Sequence, residues 1–192
     1  MDEALPIEER SEPSRKRAKC RTQIDVYTNI KASLIQEDQE PTTQIPFTPS
    51  TITDNKISIL NKIIECSDIL SRHQCRGNKF YAQIGLEMAK LKFLYIQQCD
   101  VCILIEQDPD DIFTILNCRR CAARSNTNKF FSTIKTSINY GISYTHFLIS
   151  LARLCYNYPK FKQVSVPIAD ISKHMRFLTD RIQEDSAFWR DD

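Results

Sequence analysis

Three glycines in 192 residues leave few places where the chain can turn through left-handed backbone at no steric cost. That scarcity disfavours a glycine-turned barrel or sandwich, while the supply of Ile, Leu, Lys and Gln favours helices. No apolar run reaches the roughly 20 residues that a membrane span needs. The opening MDEALPIEERSEPSRKRAKC is charged and lacks the apolar centre of an export signal, so no membrane association is expected. Also missing are a glycine-rich phosphate loop, His-Glu-x-x-His and Gly-x-Ser-x-Gly. The three histidines, His73, His146 and His174, are scattered. A non-enzymatic role is therefore expected.

A further absence is regional. Between Asp111 and Asp170 there is no Asp or Glu, although the chain-wide frequency would place about seven there. The same stretch carries Arg119, Arg120, Arg124, Lys129, Lys135, Arg153, Lys160 and Lys162, so a net charge of +2 conceals a strong asymmetry. Phosphate is the natural counterpart of such a surface, since binding it releases condensed counterions. Phe130, Tyr140, Tyr144, Tyr156, Tyr158 and Phe161 lie among the cations and suit stacking on exposed bases. The plainer reading is that these rings fill the core and the cations are solvated. Arg119, Arg120, Arg124, Lys129 and Lys135 are the expected nucleic-acid contacts, with an acidic protein as the alternative partner.

Cysteine, by contrast, is plentiful. Eight thiols in a chain expected to remain in a reducing compartment point to metal rather than to disulfides. Residues 99 to 121 read CDVCILIEQDPDDIFTILNCRRC, two Cys-x-x-Cys pairs flanking fifteen residues. Each pair can aim both sulfurs at one centre, and Cys99, Cys102, Cys118 and Cys121 together suit a structural Zn²⁺. The alternatives are four cysteines acting as small apolar core residues, or a redox pair of thioredoxin type. His73 and Cys75 are substitute ligands.

Two local geometries fit the insert. Val101, Ile103 and Ile105 alternate, Asp108 to Asp111 form a turn, and Ile112 to Ile115 are good strand formers, which reads as a hairpin. Alternatively Asp108 caps a helix that starts at Pro109, and the metal clamps helix ends. The pairs and their acidic turn resemble zinc-ribbon-type zinc fingers over about 25 residues, although Ile103 and Ala122 stand where the ribbon pattern has glycine. The resemblance implies a structural zinc, a hairpin joining two knuckles, and DNA-binding or transcription-regulating roles.

The fold class expected is mainly α, a compact multi-helix domain with an inserted zinc-binding hairpin or knuckle module and a disordered N-terminal tail. Residues 1–21 read as that tail, in which Arg15, Lys16, Arg17 and Lys19 have the form of a nuclear-import signal and predict a nuclear protein, with the cytoplasm as the alternative. Residues 22–53 read as a short helix followed by a Pro/Thr-rich linker, in which Thr48 before Pro49 suits phosphorylation. The helical domain is expected over 54–187, with the zinc module at 97–124 and a tail at 188–192. Its second helix predicts a buried stripe of Phe80, Ile84, Met88, Leu91 and Tyr95, with Glu87 and Lys90 facing water. Its last helix spaces Ile168, Ile171, Met175, Leu178 and Ile182 in heptads, for core packing or for self-association through 168–182.

Overall fold

The computed structural model describes residues 15–34, 54–72, 78–103, 109–125 and 127–190. Chain order runs α1 (Arg15–Ala32), α2 (Lys56–Arg72), α3 (Lys79–Phe93), α4 (Asp100–Ile103), α5 (Pro109–Leu116), α6 (Arg119–Arg124), α7 (Asn128–Ile138), α8 (Ile142–Asn157), a 3-10 turn at Pro159–Gln163, α9 (Ile168–Glu184) and α10 (Ser186–Trp189). The mainly helical expectation holds. The only extended pairing among the described residues is an isolated antiparallel bridge between Leu34 and Val164.

Helix α3 is the axis of the molecule, packed against α8, α2 and α5. Because neighbours surround it, the single-stripe expectation fails: Glu87 and Lys90, expected in water, are both buried. They pair with each other at 3.2 Å, and the Gln83 amide donates to the same Glu87 oxygen at 3.0 Å. A buried charge of this kind persists only when its partner and its hydrogen bonds offset desolvation. Helix α8 presents Phe147, Leu148, Leu151, Leu154 and Cys155 to the core, as its spacing predicts. Between α7 and α8 the chain reverses through Asn139, which takes the left-handed conformation at φ 58° and ends α7 before Gly141 is reached.

The heptad stripe of α9 is used within the chain. Ile171, Leu178 and Ile182 are fully buried where α9 meets α1 and α8. Helix α1 starts at Arg15 rather than Thr22, so Arg15, Lys16, Arg17 and Lys19 stand in its opening turns. Its second half is fastened to the other end of the chain. Ile30 is buried, the Tyr27 hydroxyl donates to Asp185 at 2.9 Å, and Lys31 forms an ion pair with the same carboxylate. Lys31 and then Tyr27 hold the Asp185 carboxyl below its usual range. The Trp189 indole N–H donates to the Tyr27 hydroxyl at 3.1 Å, and its ring meets Phe161 edge-on at 5.5 Å. Trp189 is thus a core residue, and the folded unit extends past residue 187. Trp189→Ala should cost about 3–5 kcal/mol, measurable by denaturant unfolding, because it empties the site that joins α1 to the C-terminus. Residues 1–14, Thr48, His73 and Cys75 lie outside the described residues.

Candidate metal centre

Each cysteine pair opens a short helix in the same way. Cys99 immediately precedes α4 and Cys118 caps α6, so in both cases the second cysteine of the pair, Cys102 or Cys121, falls on the third helical residue. The first helical hydrogen bond closes identically in the two pairs: Ile103 N–H to Cys99 O at 3.0 Å, and Ala122 N–H to Cys118 O at 2.9 Å. A capping residue and the third residue of a helix share one side of its first turn, which turns both sulfurs of each pair the same way. The two turns are then stitched together. Cys99 N–H donates to the Cys121 sulfur at 3.3 Å, Gln97 N–H to the Ser125 hydroxyl at 2.9 Å, and that hydroxyl to the Cys121 carbonyl at 2.6 Å.

The outcome is a cluster in which all four sulfurs lie within 4.8 Å of one another, with the Cys99 and Cys118 sulfurs 3.9 Å apart. Tetrahedral zinc with bonds of about 2.3 Å would hold its sulfurs about 3.8 Å apart, so the set needs only slight contraction to close on an ion. A disulfide would require about 2.05 Å, and all four thiols are free. Cys99, Cys102 and Cys121 are buried, whereas Cys118 remains partly exposed. No known protein family, curated protein or solved structure matches this chain. The cluster is therefore to be read from its own chemistry.

Electrostatics divide the four thiols into two kinds. The Cys121 N–H and, less strongly, that of Arg120 direct their positive ends at Cys118 and bring it down to about 6. No cap hydrogen bond closes there within ordinary limits. The Cys102 N–H lowers Cys99 in the same manner. Burial instead pushes Cys102 and Cys121 up. The helix-opening sulfurs are thus the more easily ionised and the inner pair the less, so a cation taking all four would displace protons from the inner pair. Four soft, neighbouring sulfurs with no carboxylate in the group fit zinc better than a hard cation.

The knuckles are helical rather than ribbon-like, which corrects the hairpin expectation. Pro109 stands at the first position of α5, as the helix-clamp alternative predicts, and Ile112, Phe113 and Ile115 are buried where α5 meets α3. Their β-propensity yields to that burial. Ser125 and Gln97 escaped the sequence reading. The available signal was a hydroxyl four residues after a cysteine, placed to return a hydrogen bond to the preceding helical turn.

Of the expected nucleic-acid contacts, Arg119, Arg120, Arg124, Lys129 and Lys135 are all exposed, and none belongs to an ion pair among the described residues. The aromatic half of the expectation fares differently. Phe130, Tyr158 and Phe161 are core residues, Tyr140 and Tyr144 are half-buried against each other, and Tyr156 alone of the six is exposed. Rings claimed by the core are unavailable for stacking on bases. Val101 and Ile103, on either side of Cys102, remain exposed at 59% and 61%.

Proposed function

We propose that the chain is a non-enzymatic binding protein in which one structural Zn²⁺, held by Cys99, Cys102, Cys118 and Cys121, braces a basic surface that contacts nucleic acid. The observation that carries the reading is the sulfur cluster itself, four ligand atoms within 4.8 Å on two helix starts. Arg119 and Arg120 lie between two of those ligands, so coordination would restrict their backbone and reduce the ordering entropy of any contact they make. With most of the nearby rings spent on the core, contact is to the phosphate backbone and largely independent of sequence. The basic run Arg15 to Lys19 supports a nuclear location, with an import receptor opening the first turns of α1 to read it as an extended peptide.

Salt dependence tests the reading. If Arg119, Arg120, Arg124, Lys129 and Lys135 each neutralise a phosphate, affinity for duplex DNA of arbitrary sequence should fall by two to three orders of magnitude between about 50 and 200 mM salt. Replacing Arg119 and Arg120 by alanine should flatten the slope by about two contacts. Fluorescence anisotropy titrations check both, and absence of binding in dilute buffer rejects nucleic acid as the partner. A second reading, a protein-interaction adaptor, draws on the exposed Val101 and Ile103. A cleft of about 630 Å³ between α5, α8 and α9 also supports it, lined by Phe113, Ile149, Leu154 and Met175 with Arg153 and Arg176.

A further inference from the structure

The four cluster cysteines differ in their exposure to solvent. Cys99, Cys102 and Cys121 are 3%, 4% and 0% exposed, whereas Cys118 is only partly covered. Zinc coordination makes every one of them a thiolate, so access decides which sulfur meets a small oxidant first. The Cys99 sulfur lies 3.9 Å from that of Cys118. Closing that gap to the disulfide length of about 2.05 Å needs roughly 2 Å of combined movement. Both residues immediately precede their helices, where side-chain rotation leaves the helical hydrogen bonds intact.

We propose that Cys118 is an oxidation site for peroxides, and that its oxidation joins it to Cys99 and ejects the metal. The proposal rests on the zinc reading above. In the first step the Cys118 thiolate attacks one peroxide oxygen; the S–O bond forms, the O–O bond breaks, and the departing hydroxide takes up a proton. The Cys99 thiolate then attacks the Cys118 sulfur, forming the S–S bond and releasing the second oxygen, which leaves as water after protonation. Two thiolates, one hydrogen peroxide and two protons give one disulfide and two waters, the sulfurs supplying the two electrons that reduce the peroxide. Zinc is left with Cys102 and Cys121, too few ligands to retain it. The arginines at 119 and 120 lose their brace in the same event.

The test uses the full zinc-loaded chain, with metal content measured before any oxidant is added. Hydrogen peroxide in modest excess, with a chromophoric chelator reporting free zinc, should release the metal. Peptide mapping after alkylation should find a Cys99–Cys118 disulfide. Dithiothreitol and fresh zinc should restore the starting state. Cys118→His preserves a Cys₃His ligand set while removing the accessible thiolate, and should slow release by about tenfold or more. Absence of zinc before peroxide overturns the metal reading. Zinc that is present at the outset and stays bound through peroxide treatment overturns the oxidation proposal alone. A disulfide within the 118/121 pair overturns the assignment of Cys99, and unslowed release from Cys118→His overturns that of Cys118; the mapping of the unmodified chain decides the matter even where the variant binds metal poorly.

Discussion

One zinc ion per polypeptide is the expected metal content of the purified chain, and replacing Cys99 and Cys118 together by serine should abolish it. The double substitution takes one ligand from each helix start, leaving two buried sulfurs that cannot complete a tetrahedron. Small zinc-finger peptides gain about 10–16 kcal/mol of apparent free energy from such an ion, all of it as folding energy. Here the gain should be partitioned differently, because α2, α3 and α8 have their own apolar core. Hydrogen exchange should therefore show lost protection across residues 97–125 and retained protection in α3 and α8. A strong chelator acting on the unmodified chain should reproduce that pattern. Elemental analysis and exchange on the same preparation decide the matter: a metal-free chain with 97–125 still protected would return the four thiols to ordinary packing.

Why that site was legible while its surroundings were not follows from the range over which each signal acts. Ligand spacing is a local property, and Cys99, Cys102, Cys118 and Cys121 converge whether the intervening chain is a hairpin or a pair of helices. The secondary structure between them is not local in that sense. Ile112 to Ile115 carry strand propensity, and only the presence of α3 alongside, invisible in a short window, turns them into a helix with one buried face. Glu87 and Lys90 show the same limit. A helical wheel assigns them to water, but α3 is enclosed by α2, α5 and α8 and has no side reserved for solvent. In the basic stretch Arg119, Arg120, Arg124, Lys129 and Lys135 are exposed while Phe130, Tyr158 and Phe161 go to the core, and composition alone does not say which rings the core will claim.

The second large effect is expected at Gly85, one of the few glycines and one whose role no local pattern discloses. In an exposed helix, Gly→Ala gains about 1 kcal/mol from backbone entropy. At Gly85 an added Cβ would stand 1.9 Å from the carbonyl oxygen of Leu148, 2.6 Å from its carbon and 2.9 Å from the Ala152 Cβ. Two of those three atoms are backbone of α8, so no side-chain rotation relieves the overlap. Helices α3 and α8 would have to part by about 1 Å, loosening the interdigitation of neighbouring core side chains along both helices. Overpacking typically costs 1–3 kcal/mol, and a clash fixed by backbone on both sides belongs at or beyond the upper end. Gly85→Ala should therefore destabilise by about 3 kcal/mol or more net of the propensity gain, a fall of roughly 6–12 °C in Tm. Gly141 supplies the contrast within the same protein: it caps α8 at φ −74°, and a Cβ there would meet nothing within 4 Å. Gly141→Ser should be neutral or slightly stabilising, since serine is a better helix cap than glycine. Thermal unfolding of the two variants side by side checks the pair, and a Gly85→Ala protein as stable as the unmodified chain would mean that α3 and α8 do not approach this closely.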